Sequence, residues 1–333
     1  MNTKCLALVA LGTALSFAAA AATDISGAGA TFPYPVYSKW ADAYKKLTGI
    51  GLNYQSIGSG GGIKQIKAKT VTFGASDMPL KPEDLKASGL LQFPMIIGGV
   101  VPVVNVKGVA PGQLHLDGAT IASIYLGDIT RWDDREIKRL NPTLALPATA
   151  IAPVYRSDGS GTNFLFSDYL SKASPKFASN IGANSSVEWP KGIGAKGNEG
   201  VANMTNQTDG AIGYVEYAYA KQIKMTYTVL SNKSGAVVAP NAESFQAAAA
   251  NADWSKAEAY YLILTDQPGA KSWPITGASF ILMYKQPADP APVQEALKFF
   301  AWAYQDGSAM ASELDYVPLP ASLTAQVKKT WAT

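Results

Sequence analysis

Three loops of this sequence combine small residues with a hydroxyl side chain, and each connects a predicted strand to the start of a predicted helix. Their sequences are GAGATFP (residues 27–33), IGSGGG (57–62) and SDGSGTN (157–163). Helix N-termini present unpaired N–H donors and partial positive charge, so they can bind anions. One such loop is typical of ordinary helix capping, but three together favour a site for an oxyanion.

One arginine is placed where it could hold such an anion. Arg156 ends a predicted strand, four residues before Ser160. A guanidinium group can bind a tetrahedral oxyanion through two parallel N–H donors. The alternative is a surface arginine paired with Asp158. The two interpretations are compatible, because a neighbouring carboxylate would hold the guanidinium group in one orientation.

A carboxylate beside the same site would distinguish between anions. Asp77 follows a predicted strand, in the segment GASDMP. Phosphate carries a proton at neutral pH and sulfate does not, so Asp77 could accept a hydrogen bond from phosphate and would repel sulfate. Sites that reject an analogue by leaving a polar group unpaired discriminate by roughly 10⁴–10⁵. The alternative is that Asp77 is a helix-capping residue ahead of Pro79.

The elements that would position these residues alternate along the first part of the chain. Residues 34–47 place apolar side chains three and four positions apart, which predicts an amphipathic helix ending near Gly49. A strand at residues 52–57, a short helix at 63–69 and a strand at 71–75 follow. This alternation indicates an α/β fold built on a parallel sheet.

The same alternation continues through the middle of the chain. Strands are predicted at residues 151–155 and 210–215, and helices at 163–170 and 216–220. A further helix is predicted near residues 132–137. The pair Asp133–Asp134 is interpreted there as a cap at the positive helix end, with a metal site as the alternative.

Two apolar segments predict how the chain is divided. The run FPMIIGGVVPVVNV (residues 93–106) is interpreted as a strand that leaves one domain and enters a second. The alternative is a buried strand with a bulge at Gly98–Gly99. The late strand GASFILMY (277–284) would return to the first domain, before a strong helix at 293–304.

Composition excludes several classes of function. The 333 residues carry 28 basic and 25 acidic side chains without a basic block, which argues against a nucleic-acid binder. Cys5 is the only cysteine and His115 the only histidine, so the sequence offers no disulfide framework and no multi-histidine metal site. A Ser-His-Asp triad would have to use His115, which is interpreted as a surface residue. No cofactor is expected.

The N-terminal segment predicts export. A short basic start is followed by an apolar, alanine-rich run that ends in Ala20-Ala21-Ala22, so residues 1–22 are interpreted as a cleavable signal peptide. The alternative is an uncleaved membrane anchor. Removal of Lys4 with this segment lowers the net charge from +3 to +2, and 311 residues remain (333 − 22). No second run of membrane length follows.

Four longer segments add a family resemblance. GAGATFPYPVYSKWADAY, GASDMPL, RSDGSGTNF and GAIGYVEYAYAK resemble the periplasmic phosphate-binding proteins of bacterial high-affinity phosphate ABC transporters, from about Ile25 to Trp331. The resemblance implies a type II periplasmic-binding fold, with phosphate in a cleft between two α/β lobes joined by two hinge crossovers. Lobe I would comprise residues 23–98 and 267–333, and lobe II residues 99–266.

The resemblance also implies the phosphate ligands by position, namely main-chain amides, hydroxyls, one arginine and one acceptor aspartate. They are Thr31, Phe32, Ser59, Asp77, Arg156, Ser160, Gly161 and Thr162, with Asp158 orienting the arginine.

The function implied by the resemblance is capture of inorganic phosphate in the periplasm. The loaded protein, a monomer, would deliver phosphate to permease subunits in the inner membrane, which a cytoplasmic ATPase powers. Two alternatives stay open at this point. One is a secreted phosphate-ester hydrolase, and the other is a binding protein for sulfate, molybdate, a phosphonate or arsenate.

Overall fold

The computed structural model describes residues 24–331, which form a mixed α/β fold. The strands are β1 (Ile25–Gly29), β2 (Leu52–Ser56), β3 (Phe73–Ser76), β4 (Leu90–Val104), β5 (His115–Leu116), β6 (Ala152–Arg156), β7 (Ile193–Ala195), β8 (Ala211–Glu216), β9 (Thr226–Tyr227), β10 (Val229–Ser231), β11 (Val237–Val238) and β12 (Thr276–Tyr284). The helices are α1 (Tyr34–Thr48), α2 (Ser59–Lys67), α3 (Pro82–Ser88), α4 (Gly118–Leu126), α5 (Arg135–Leu140), α6 (Gly161–Ala173), α7 (Pro175–Asn180), α8 (Gly197–Gln207), α9 (Tyr217–Gln222), α10 (Ala242–Ala249), α11 (Pro290–Gln305), α12 (Ser308–Ser312) and α13 (Ala321–Thr330).

Most of the strands belong to one curled sheet, in the order β2-β1-β3-β12-β4-β8-β6-β7, with β9 beside β4. At one end β1 pairs in parallel with β2 and β3, and at the other β6 pairs in parallel with β7 and β8. The central strand β12 is antiparallel to both neighbours. The predicted parallel α/β pairing is therefore confirmed at both ends of the sheet, and the chain reverses direction in the middle.

The long strand β4 connects the two ends. Its first part, Leu90–Gly99, pairs with β12, and its second part, Val100–Val104, pairs with β8. Strand β4 therefore changes its pairing partner after Gly99, at the point where the sequence predicts that the chain passes from one lobe to the other. The proposed lobe bounds, residues 98/99 and 266/267, stay predictions.

The glycine pair in β4 does not lie at a bulge, which was the alternative interpretation of this segment. Gly98 and Gly99 pair in register with Gly277 and Thr276, and the irregularity lies opposite Ser279 and Phe280. A Cβ on Gly98 would lie 2.9 Å from the Phe32 ring, and one on Gly99 only 2.1 Å from the Phe245 ring. Two aromatic side chains therefore pack directly on the backbone of β4.

Helix α1 forms as its apolar spacing predicts. Val36, Trp40 and Tyr44 are buried on one face, and Gly49 ends the helix in the left-handed conformation. The helix predicted at residues 293–304 also forms, as α11 (Pro290–Gln305), and the late strand forms as β12. Periodicity identifies the two helices because each buries one face, whereas β12 is identified by an unbroken apolar run, since eight of its nine residues are buried.

The opening glycine-rich segment is only partly a loop. Gly27, Ala28 and Gly29 belong to β1, and the loop that leads to α1 begins at Ala30. A Cβ on Gly27 would lie 2.2 Å from the Phe73 ring, and one on Gly29 would lie 2.1 Å from the Ala75 carbonyl oxygen. Close packing against β3 therefore explains these glycines, and only the following residues can reach a ligand.

Two other predicted elements begin at different residues in the structure. Helix α2 begins at Ser59, inside the segment predicted as a loop, and β3 begins at Phe73 instead of residue 71.

Asp134 caps α5, since its Oδ1 accepts a hydrogen bond of 2.8 Å from Glu136 N. The capping interpretation of that residue is confirmed.

His115 is half-buried and was wrongly interpreted as a surface residue. Its Nε2 lies 2.7 Å from Ser231 Oγ and its Nδ1 lies 3.3 Å from the Leu140 carbonyl oxygen. The predicted signal peptide, residues 1–22, lies outside the described residues. Within residues 24–331, no helix is both long enough and apolar enough to cross a membrane.

Candidate functional site

Three predicted site residues meet in one buried cluster. Ser59 lies at the first turn of α2, Asp77 follows β3, and Gly161 begins α6. Ser59 Oγ accepts hydrogen bonds from Asp77 N at 3.2 Å and from Gly161 N at 3.0 Å. A Cβ on Gly161 would lie 2.5 Å from Asp77 Oδ2, so only glycine allows this approach without displacement.

Arg156 and Asp158 form a two-bond pair beside this cluster. Arg156 Nε donates to Asp158 Oδ1 at 2.7 Å, and Nη2 donates to Oδ2 at 2.6 Å. The arginine side chain is only 1% exposed, so this pair is largely removed from solvent. Burial, the largest single influence, acts to raise the pKa of Asp158. The hydrogen bonds and charge of the guanidinium group, together with the Gly197 N–H, outweigh it and hold this pKa below its usual range. The predicted orientation of Arg156 by Asp158 matches this geometry.

The strand that carries Arg156 is fixed to helix α6 by one tyrosine. Tyr214 OH accepts a hydrogen bond from Arg156 N at 3.0 Å and donates one to Asn163 Oδ1 at 2.6 Å. Its ring stacks on Phe166, with 3.9 Å between the ring centroids. Ser160 caps the same helix by accepting a hydrogen bond from Asn163 N at 2.9 Å. The position of α6 relative to Arg156 is thus set by buried contacts.

The site is electrostatically unusual at Asp77. Burial raises the pKa of this carboxyl to about 7, and Ser279, Arg156 and Ser59 oppose that rise. The Ser279 and Ser59 hydroxyls act as nearby dipoles, because neither makes a hydrogen bond to the carboxylate. Neither Asp77 oxygen has a hydrogen-bond partner among residues 24–331, and the same holds for the buried Arg156 Nη1. Buried polar groups are nearly always paired in proteins, so these atoms are candidates for contact with a ligand.

Thr31 and Thr162 are connected through a residue that the sequence analysis missed. Asn198 Nδ2 donates to Thr31 Oγ1 at 2.6 Å and to Thr162 Oγ1 at 3.1 Å. Asn198 lies in the first turn of α8 and is fully buried. Its segment, GIGAKGNEG (residues 192–200), is not among the loops selected from the sequence. The signal that could have identified it was a polar residue directly after a glycine, Gly197, in a glycine-rich segment.

Phe32 contributes through its backbone and through packing. Its ring is fully buried against Tyr316, and its carbonyl oxygen accepts a hydrogen bond of 2.6 Å from Tyr316 OH. The Thr31 carbonyl oxygen likewise accepts one of 2.6 Å from Tyr219 OH. Both carbonyl groups are therefore bonded to tyrosines, which leaves the N–H side of this turn for another partner.

The loops close on one another around these groups. Gly60 N donates to the Gly159 carbonyl oxygen at 2.9 Å, and Gly197 N donates to Asp158 Oδ1 at 3.1 Å. The groups gathered here are a guanidinium, several hydroxyls and N–H groups, and the Asp77 carboxylate, whose two oxygens have no hydrogen-bond partner among residues 24–331. In chemical terms this set suits an anion that carries a proton.

Relatives and a family model identify the chain. A model described as the PBP superfamily domain matches residues 16–306. A protein of Xylella fastidiosa (strain 9a5c) named phosphate-binding protein PstS is 54% identical over 309 residues, covering 93% of this chain and 85% of that protein. The chain belongs to the PstS family of phosphate-binding proteins.

Other comparisons agree with the PstS family. A Haemophilus influenzae protein of the same name is 51% identical over 333 residues, covering 100% of this chain and 99% of that protein. A solved phosphate-binding protein from Stenotrophomonas maltophilia is 21% identical and superposes with a TM-score of 0.73, covering 94% of this chain and 95% of that one. The structural likeness supports the periplasmic-binding fold that the sequence predicts.

The structure thus places every predicted PstS site residue in one region. Ser59, Asp77 and Gly161 touch directly, and Arg156 is paired with Asp158. Thr31 and Thr162 share Asn198, Phe32 follows Thr31, and Ser160 precedes Gly161. No group of three or more potential metal-binding histidine, cysteine or acidic side chains occurs in the described part of the chain.

Proposed function

We propose that this protein captures inorganic phosphate and delivers it to an ABC transporter. The unpaired, buried Asp77 carboxylate beside the buried Arg156 guanidinium carries the proposal. Arg156 Nη1 would bind a phosphate oxygen, and Asp77 would accept the phosphate proton. Membership of the PstS family, and the relatives named phosphate-binding protein, support the same ligand.

We infer that the predicted residues act as donors to the phosphate oxygens. Side-chain O–H groups would come from Ser59, Thr31, Ser160 and Thr162, and a main-chain N–H group from Phe32. The Gly161 N–H donates to Ser59 Oγ, so Gly161 would contribute by orienting that hydroxyl toward phosphate. The hydroxyls of Ser59 and Thr31 each accept two protein N–H groups, so their hydrogen atoms are left to be donated. Asp158 would hold Arg156 in place without touching the ligand.

The proposal includes a location and partners. A signal peptide at residues 1–22 would direct the protein to the periplasm, where it would act as a monomer. The partners would be permease subunits in the inner membrane, powered by a cytoplasmic ATPase. Phosphate would be bound and released unchanged, without a chemical step. Incubation with a chromogenic phosphate ester tests this last point, and turnover that is lost in Asp77→Asn would contradict it.

Calorimetric titration of phosphate-stripped protein tests the ligand. We expect one-to-one binding of phosphate and no binding of sulfate at pH about 8, where Asp77 is ionised. Equal binding of both anions would mean that Asp77 does not face the ligand. Arsenate, which is also protonated, is expected to bind.

The Arg156→Ala variant tests the site itself. Loss of the guanidinium removes charge-assisted donors from a buried anion, so phosphate binding should fall below detection. The matched control is Arg131→Ala. Arg131 makes the same type of pair with an aspartate two residues later, at 3.0 Å, but its side chain is 56% exposed. An Arg156→Ala protein with wild-type affinity would show that the site is assigned wrongly.

A further inference from the structure

The side-chain amide of Asn198 occupies a central position between two of the proposed phosphate donors. Its Nδ2 donates to Thr31 Oγ1 and to Thr162 Oγ1, and its backbone N–H donates to Thr31 Oγ1 at 3.1 Å. All three residues are buried to 1% exposure or less. Hydrogen bonds in such surroundings are not exchanged with water, so their direction is fixed by the protein.

The orientation of this amide is set by a second contact. Asn198 Oδ1 accepts a hydrogen bond of 2.8 Å from Glu216 N, at the end of β8. A backbone N–H can only donate, so the oxygen of the amide must face Glu216. The Nδ2 group therefore has to face the two threonines, and it can only donate to them.

The direction in which the threonine hydroxyls donate follows from this arrangement. A hydroxyl group has one hydrogen and two lone pairs. Both lone pairs of Thr31 Oγ1 are occupied by N–H groups of Asn198, and one lone pair of Thr162 Oγ1 is occupied by Nδ2. We propose that Asn198 is a positioning residue that holds Thr31 and Thr162 as hydrogen-bond donors toward phosphate, an inference that rests on the proposed function.

The same contact joins separate parts of the chain. Thr31 precedes α1 and belongs to predicted lobe I. Thr162 lies in α6 and Asn198 in α8, and both belong to predicted lobe II. The Thr31–Asn198 hydrogen bonds therefore form only when these segments come together. Asn198 thereby couples the approach of the segments to the direction in which Thr31 donates.

A change from Asn198 to Asp provides the sharpest test. Aspartate keeps the shape and the acceptor for Glu216 N, but its second oxygen accepts where Nδ2 donates. The threonine hydroxyls would then donate to residue 198 and turn their lone pairs toward the anion. We expect phosphate affinity to fall by about 100-fold or more in Asn198→Asp, and by less in Asn198→Ala, which only removes the donor. A purely steric role for Asn198 predicts the opposite order.

Asn198→Asp both reverses the direction in which Thr31 donates and adds a negative charge. A double-mutant cycle with Thr31→Val separates these two effects. In the wild-type background, removing the hydroxyl should weaken phosphate binding by about 10- to 100-fold, as expected for a hydrogen bond to a charged group. In the Asn198→Asp background the same change should alter affinity by less than about threefold, because Thr31 no longer donates to the ligand. Charge repulsion alone would leave the effect of Thr31→Val unchanged.

The outcomes are distinct. Wild-type protein that binds no phosphate would contradict the proposed function. Wild-type binding together with an additive cycle would overturn the role of Asn198 and leave the proposed function intact. If circular dichroism shows that Asn198→Asp does not fold, the cycle is run with Asn198→Ala. Non-additivity of the same sign is then expected, and additivity again overturns the role.

Discussion

The absence of a side chain at Gly161 is proposed to be required for ligand binding, and Gly161→Ala tests this directly. Gly161 begins α6, and its φ lies outside the left-handed region, so alanine fits the backbone. The added Cβ would, however, lie 2.5 Å from Asp77 Cβ and Oδ2 and 2.6 Å from Ser59 Oγ. The substitution therefore introduces a purely steric conflict between α6 and the two residues that face it.

The magnitude follows from this crowding. Carbon atoms in contact are normally separated by about 3.5–4.0 Å, so α6 or Asp77 must move by about 1 Å. Overpacking of this kind costs about 1–3 kcal/mol, which corresponds to a phosphate affinity about 5- to 140-fold weaker. Gly161 and Asp77 belong to different predicted lobes, so the conflict should weaken binding more than folding. The free energy of unfolding without ligand should not fall, because alanine favours the helix by up to about 1 kcal/mol.

Two measurements are needed. Calorimetry gives the phosphate affinity, and unfolding in urea without phosphate gives the stability. The matched control is Gly200→Ala in the first turn of α8, where the new Cβ would lie 3.6 Å from the nearest atom of Ala195, an ordinary contact. Gly200→Ala should bind phosphate like the wild type. If Gly161→Ala bound phosphate within twofold of this control, the proposed contact between α6 and Asp77 in the bound state would be refuted.

Two further predictions concern buried polar groups. Because burial raises the pKa of Asp77 to about 7, the protonated carboxyl that predominates at lower pH can donate to sulfate. Sulfate binding, measured by calorimetry, should therefore strengthen as the pH falls from about 8 to about 5 and should not depend on pH in Asp77→Asn; a flat wild-type profile would contradict this. Tyr316→Phe removes a hydroxyl that lies 2.6 Å from the Phe32 carbonyl oxygen and 2.8 Å from Glu216 Oε2. The Phe32 carbonyl oxygen would lose this buried donor, and Glu216 Oε2 would keep only the Ala218 N–H at 2.8 Å. The free energy of unfolding in urea should therefore fall by about 1–3 kcal/mol, and an unchanged unfolding midpoint would argue against it.

The sequence by itself determined the elements with a clear apolar pattern and the residues with distinctive chemistry. Helices α1 and α11 follow from the spacing of apolar side chains and strand β12 from an unbroken apolar run, and both patterns depend only on local geometry. Arg156 and Asp77 were identified because both lie at the ends of predicted strands, where a guanidinium and a carboxylate could face an anion held by the small-residue loops. The starts of α2 and β3 were misplaced, because the sheet contacts that fix them are distant in sequence.

Only the tertiary structure decided which small residues serve the site. Gly27 and Gly29 resemble ligand-binding glycines in sequence, but their neighbours Phe73 and Ala75 come from another strand. Asn198 could not be selected from its sequence, since its importance lies in donating to Thr31 and Thr162, which are 167 and 36 residues away. Hydrogen-bond direction is set by partners brought together in three dimensions, and a linear pattern shows only which groups are able to donate.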